Sequence, residues 1–420
     1  MKRRSRWLVG LGCVAALASW TPQASAQLST AGMDWLQGYQ DATSSGFSAT
    51  TMTAAPRLLW GFSAKSKDGF RIHPNSGSAI HSGVLFTSGD KNPLDRPGKG
   101  WSEFFAIDVE TGQRLWTFDP KRHGAVHDGL VAVDVARSLV LYPAHDGNLR
   151  ALDTSTDELL WEMQLCNAKS ERCDLEGGVT LANGRAYYVS NDWAHAFVPD
   201  RHQPFEVWRF SRGDVAHGVA TKPVMSGGKV FFGGFGWFWA VDELSGALVW
   251  RSPTSSPNFT YGFDIPHIWN DTVYASASRS GYVQTIVTAR NAGTGATKWE
   301  RVLPLGFAVK SSIGYGKLFL TYFTTREHGG VIALDLATGK ELWKFDHVDF
   351  SRVGAINGGP AVVDNKVIVG GTDGNVYMLE QGTGRLLWSF DTGEAMHSAV
   401  AVADGRFFIG AYQTFRAFGR

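Results

Sequence analysis

This chain carries no excess of charge of either sign. Its 40 Lys and Arg against 39 Asp and Glu give a net charge of +1, and only 19% of residues are charged. Long apolar runs are also missing. Beyond the extreme N-terminus no segment reaches the roughly 18 uncharged apolar residues that would span a bilayer. Cysteine is scarce, at three residues, too few for a disulfide-built scaffold. No phosphate-binding Gly-rich P-loop, H-E-x-x-H zinc helix or Ser-His-Asp nucleophile elbow occurs, so the usual nucleotide, zinc-protease and serine-hydrolase chemistries have no sequence support.

The N-terminus reads as an export signal. Lys2, Arg3, Arg4 and Arg6 precede an apolar core over residues 7–20, and Ala24-Ser25-Ala26 supplies a small-residue cleavage site. The expected division is a signal peptide over 1–26 and one domain over 27–420, placed in the periplasm or secreted. Lipidation at Cys13 fits poorly, because Gly10 and Leu11 precede it within the apolar core. Four basic residues leave with the signal, so 36 basic face 39 acidic ones, a net −3. Neither nucleic-acid binding nor a polybasic membrane attachment follows from that balance. Two cysteines remain, Cys166 and Cys173. In an oxidising compartment they are expected to form a local disulfide, since a C-x-x-C spacing and a third thiol are both absent.

What is abundant is glycine, 49 residues, and aromatic side chains, 13%. They recur with a period. The pattern A-x-[DN]-x-x-[TS]-x-x-x-x-W appears at Ala106 to Trp116, Ala151 to Trp161, Ala240 to Trp250, Ala289 to Trp299 and Ala333 to Trp343. A weaker copy runs from Met378 to Trp388, and Trp208 closes one in which Ala196 lies two residues too far upstream. Alternating apolar residues before the acidic position make a strand, Thr-Gly makes the turn, and the segment ending in Trp is the next strand. A second hairpin precedes each copy, with turns such as Asn183-Gly184 and Asp404-Gly405. Four antiparallel strands cannot bury both of their faces alone, so the repeats are expected to stack in a ring. Trp60, Trp116, Trp161, Trp208, Trp250, Trp299, Trp343 and Trp388 count eight blades. Trp60 has one strand and no hairpin before it, whereas the C-terminus offers three strands. The N-terminal strand is therefore expected to join the C-terminal blade and close an all-β, eight-bladed propeller. The tryptophans themselves are expected to be wedges between blades, each indole N–H bonded to a neighbouring carbonyl.

This repeat resembles that of the pyrroloquinoline-quinone (PQQ)-like propeller superfamily, and the lead-in Asp34-Trp35-Leu36-Gln37-Gly38 extends the resemblance over nearly all of the chain after the signal. Two branches are implied. Quinoprotein dehydrogenases bind PQQ with calcium or a lanthanide on the propeller axis and oxidise small alcohols, aldehydes or sugars. BamB-like periplasmic proteins scaffold outer-membrane or envelope assembly and bind no cofactor. The chain lacks the adjacent Cys-Cys pair of many quinoprotein alcohol dehydrogenases and any C-x-x-C-H haem site, and its blades are compact.

Long connections gather on one face, where each blade's innermost strand is expected to begin. Aligned there are His81, His127, Glu176, His217, Asp264, Lys310, Asn357 and His397. As a site, His217 with Asp264 would act as general base on an alcohol and Lys310 would sit near a quinone oxygen. His81, His127, Glu176, Asn357 and His397 would line the cofactor. Glu176, Asp264 and Asn357 are the oxygen ligands a calcium ion would take, and the histidines suit a transition metal. The competing reading is that polar side chains merely line a wet channel. Three functions thus stay open: a quinoprotein-type oxidoreductase with a small-molecule ligand on the axis, a scaffold with an envelope protein partner, and a metal-dependent or carbohydrate-active enzyme using the histidines. The aromatic run from Phe231 to Trp239 is expected to be core, with one ring left for stacking.

Overall fold

The computed structural model describes residues 34–420, apart from 64–71, 74–76, 92–101, 121–128, 145–146, 166–176, 191, 214–220, 235, 254–264, 279–283, 324–328, 348–357 and 397. The proposed signal peptide, Cys166 and Cys173 lie outside the described residues.

Eight antiparallel sheets form, and one 3-10 turn at Val135–Arg137 is the only helical element among the described residues. Blade 4 is representative. Val224–Ser226 is innermost, followed outward by Lys229–Gly234, Trp237–Asp242 and Leu248–Pro253. The other inner strands are Ala79–His81, Ala132–Asp134, Thr180–Ala182, His267–Trp269, Phe307–Gly314, Ala361–Val363 and Ala401–Ala403, for blades 1, 2, 3, 5, 6, 7 and 8. The outer strand of blade 8 is Arg57–Ser63, which pairs antiparallel with Thr414–Gly419. The inner strand of blade 8 lies against that of blade 1.

The sequence period has a direct structural meaning. The Ala of each motif stands opposite its Trp across the outer hairpin, as in Ala106 and Trp116, Ala289 and Trp299, and even Ala196 and Trp208. The two extra residues of that copy are taken up in the turn between the strands. Trp60 faces Ala417 in the same way. A β-bulge follows each such pair and turns the Trp ring toward the next blade. There the indole N–H donates to a main-chain carbonyl, at 3.0 Å from Trp250 to Ala292 and 2.9 Å from Trp343 to Gln381. Trp60, Trp161, Trp208 and Trp299 make the same bond. Glycine in the motif answers two demands. Gly339 has φ +68°, and a Cβ there would come within 2.6 Å of the Trp299 ring. The ring of one blade therefore lies flat on the turn of the next. The acidic residue caps that turn: Asp335 accepts from the Thr338 amide at 2.8 Å and from its hydroxyl at 2.6 Å. The first hairpins use paired left-handed residues, such as Asn183 and Gly184 at φ 50° and 71°, the turn that matches strand twist.

The aromatic run behaves as core. Phe231, Phe232, Phe238 and Trp239 are buried, while half-buried Trp237 carries the Arg251 guanidinium 4.9 Å from its ring centre.

Candidate axial site

An innermost strand is a sheet edge whose N–H groups point at the axis, and unpaired edges demand cover. Residues 34–52 supply it. Trp35 exchanges both main-chain bonds with Ile80 of blade 1, at 2.7 and 2.9 Å. From there the segment crosses the blades in order. The Val133 amide donates to Leu36 O at 2.8 Å, and Leu181 donates to the Gln37 side chain at 3.2 Å. Met225 donates to Ala42 O at 2.8 Å, Ile268 to Thr43 O at 3.2 Å, Ile313 to Ser45 O at 2.7 Å and Val362 to Gly46 O at 2.9 Å. Each donor is the middle residue of a three-residue inner strand, except Ile313, which is next to last in the longer inner strand of blade 6. Phe47–Ser48 then adds a parallel strand to blade 7, and Thr50 Oγ1 accepts from the Gly405 amide of blade 8 at 3.2 Å. One strap thus ties together every blade across the axis.

Three residues before each of those seven donors, and before Val402 in the middle of the blade 8 inner strand, stand Gly77, Leu130, Gly178, Lys222, Ile265, Lys310, Gly359 and Ala399. This level is closed by the chain itself. Leu130 sits in a cradle of glycines: a Cβ on Gly38, Gly77 or Gly178 would come within 2.6, 2.3 and 2.5 Å of its side chain. Gly359 makes the same room for the Tyr39 ring. Tyr39, Leu130 and Ile265 pack in one cluster with Ala399 against it. Among the described residues, the axis at this level is therefore filled by an apolar layer of Tyr39, Leu130 and Ile265.

Two lysines share this level and differ completely. Lys222 is fully buried, donating to Ser44 Oγ at 2.9 Å and Asp41 O at 3.1 Å. Desolvation pulls its ammonium down to about 7, against a smaller opposing pull from Asp41. Lys310 is half-buried on the inner strand of blade 6, which has eight residues where the others have three. Its hairpin alone among the described inner hairpins carries a bulge, between Ala308 and Lys310. Thr321 secures the bulge, accepting from the Lys310 amide at 3.3 Å and donating to its carbonyl at 3.1 Å. Bulges of this kind re-aim a side chain.

Below the apolar layer, His267 joins strap to blades. It bonds the Ser44 carbonyl through Nδ1 and the Ser311 hydroxyl through Nε2 at 2.6 Å. Burial pushes the imidazole down to about 4, with the Lys222 charge acting in the same direction, so it is neutral at pH 7. Nδ1 then carries the proton and Nε2 accepts.

Of the residues chosen from sequence, Lys310 is the fourth of the eight residues in the inner strand of blade 6. His81 ends the inner strand of blade 1 beside the tight turn, 3.2 Å from Asp34, at the far end from Lys310. The first hairpin of blade 1 has the same three pairs and two-residue turn as that of blade 3, so His81 falls at the turn, four positions further along its strand than Lys310, about 13 Å of strand rise. His127, Glu176, His217, Asp264, Asn357 and His397 lie outside the described residues. Among the described residues no group of three His, Cys, Asp or Glu could hold a metal. Sequence reasoning missed Lys222 and His267, which sit in apolar-looking strand starts. The available signal was their place in the repeat, Lys222 level with Lys310.

Comparison with known proteins follows the geometry. The family model described as outer membrane protein assembly factor BamB matches residues 102–307 and 327–418. The chain belongs to that family. Within this PQQ-like propeller family, the dehydrogenase subunit of a quinone alcohol dehydrogenase from Komagataeibacter europaeus is 26% identical over 272 residues, covering 60% of this chain and 32% of that subunit. The chain matches about a third of the length of such curated relatives. Among solved structures, quinohemoprotein alcohol dehydrogenase from Comamonas testosteroni superposes with TM-score 0.70 at 14% identity, over 92% of this chain and 80% of that one. BamB from Moraxella catarrhalis gives 0.60 at 17% identity, over 87% of this chain and 100% of that one. These structural likenesses establish the PQQ-like propeller fold. No helix of the described residues is long and apolar enough to cross a membrane.

Proposed function

We propose that this protein is an exported oxidoreductase of the quinoprotein type, acting on a small alcohol, aldehyde or sugar-like substrate at the propeller axis. The observation that carries the reading is Lys310, set on the one extended and bulged inner strand among those described, at the register level of Leu130 and Ile265, which pack in one apolar cluster. An apolar layer with a cation at its level suits a planar anionic quinone such as PQQ. Lys310 would hold the quinone, and Glu176, Asp264 and Asn357 would hold its calcium or lanthanide ion. A quinone held there would supply a two-electron acceptor for oxidation of the alcohol. His217 with Asp264 would take the hydroxyl proton, and His127 and His397 would line the cofactor. The likeness to quinone alcohol dehydrogenases supports this reading, and the proposed cleavage after Ala26 places the mature chain in the periplasm or outside the cell.

The test is dye reduction by the purified protein given PQQ with calcium or lanthanum and a panel of alcohols, aldehydes and sugars. Turnover that falls at least 100-fold in Lys310→Met is the expected result. No turnover with any metal and no shift in melting temperature on adding PQQ would overturn it.

One observation favours a second reading, a BamB-like scaffold. Exposed aliphatic residues recur on the outer strands, at Leu58, Leu115, Leu159, Leu248, Leu342 and Leu386, a rim open to an envelope protein partner. Capture of an outer-membrane assembly complex by the wild type and not by a Leu115→Lys, Leu342→Lys variant would support it.

A further inference from the structure

We propose that residues 34–52 form an acid-sensitive latch on the propeller axis, released by protonation of the polar cluster at its centre while the blades stay folded. The inference is independent of any bound cofactor. Strap and blades meet edge to edge, so each blade keeps its own three internal strand pairings when the strap leaves. What is lost comprises both main-chain bonds between Trp35 and Ile80, one main-chain bond from each of Val133, Met225, Ile268, Ile313 and Val362, the side-chain bonds to Leu181, Lys222, His267 and Gly405, the short Phe47–Ser48 pairing, and the burial of Trp35, Tyr39 and Met52. Those bonds are spread over many blades, and no single blade holds the strap alone.

The holding point is the turn of the strap at Asp41 to Ser45. Asp41 spends its carboxylate on the strap itself, accepting from Thr43 N at 2.9 Å, Thr43 Oγ1 at 2.7 Å, Ser45 N at 3.1 Å and Ser45 Oγ at 2.6 Å. This shapes the turn so that the Ser44 carbonyl and hydroxyl point at the blades, one toward His267 and the other toward Lys222. The groups facing the imidazole are Ser44, Asp41 and the Tyr39 ring from the strap, Lys222 from blade 4 and Ser311 from blade 6. Lys222 is the cation of this set and Asp41 its carboxylate. A proton added to His267 turns Nε2 from acceptor to donor and puts a second cation beside Lys222 in a space closed to water. The Ser311 hydroxyl, 2.6 Å away, must then turn around. Relief comes from letting the strap go, which opens both His267 and Lys222 to solvent.

The linkage has a definite sign. The imidazole is held near 4 in the latched state and returns to about 6.5 when released. The released state therefore binds more protons between those values, and the opening equilibrium grows about tenfold per pH unit on going from pH 6.5 to 4.

Native-state hydrogen exchange on the full mature chain, corrected for intrinsic rates, tests this. Amides of Ile268, Ile313 and Val362 and of the strap should open together, with that slope, while amides inside blade 5, such as Ala289, stay protected. His267→Gln keeps a donor for Ser44 and an acceptor for Ser311 but cannot gain a proton, so its opening should be flat over the same range. The proposal fails if the wild-type strap shows no slope, if strap and blade amides open as one unit, or if His267→Gln keeps the wild-type slope. The wild-type experiment decides the matter even where the variant does not fold.

Discussion

A glycine pair in blade 6 separates two costs that the repeat imposes together. Gly339 and Gly316 have nearly equal left-handed backbones, φ +68° and +71°. A methyl group at Gly316 would meet nothing within 4 Å, whereas at Gly339 it would lie 2.6 Å from the Trp299 ring. Gly316→Ala therefore carries only the backbone term, about 1–2 kcal/mol. Gly339→Ala carries the same term plus the overpacking of a ring that is fixed at its other end by the Leu336 carbonyl at 2.9 Å, a further 1–3 kcal/mol or so. Urea unfolding followed by tryptophan fluorescence should put Gly339→Ala about 1–3 kcal/mol below Gly316→Ala, with equal slopes. If the two variants agree within about 0.5 kcal/mol, the ring does not bear on the turn and the inter-blade wedge is misread.

Removing the wedge bond should also be measurable. Trp250→Phe deletes the donor to Ala292 O and should cost about 1–3 kcal/mol in the same assay. Leu130→Ala empties the glycine cradle on the axis and should cost about 2–5 kcal/mol by thermal or urea unfolding, since the glycines cannot close the space. Lys222 is held near 7 against 10.5 unfolded. The unfolded chain thus binds more protons between these values, and stability contributed here rises with pH across that window. Lys222→Met should remove that slope and raise stability at pH 7, by up to about 1.4 kcal/mol for each pH unit of the shift, less its two hydrogen bonds. A pH series of urea midpoints for both proteins checks the sign.

The blades were legible in the chain because each obligation of the fold falls on a local residue. A Trp must find a glycine on the next turn, an acidic side chain must cap that turn, and both repeat at the blade period. Strand Arg57–Ser63 could be assigned to the last blade by counting strands alone, and it pairs with Thr414–Gly419. The axis was much harder to read. The strap has no periodicity of its own, since its contacts are to eight different blades and mostly through its main chain. Nothing in Asp41-Ala42-Thr43-Ser44-Ser45 announces a buried partner. His267 and Lys222 likewise look like ordinary strand-start residues until blades 4, 5 and 6 bring them to one point. His81 was drawn into the axial set because a histidine before a turn resembles one before a strand. Its bond to Asp34 belongs to the tight-turn face. Lys310 was found by alignment, but the bulge that sets it apart is a property of pairing with Thr321 and has no sequence mark.

The proposed axial site is tested most directly by calorimetric titration of the purified protein with PQQ in calcium or lanthanum. The account predicts one quinone per chain, with affinity at least tenfold weaker in Lys310→Met and unchanged in Lys344→Met, a lysine of the outer strand Glu341–His347. Absence of binding in the wild type with either metal, or equal loss in both variants, would contradict it.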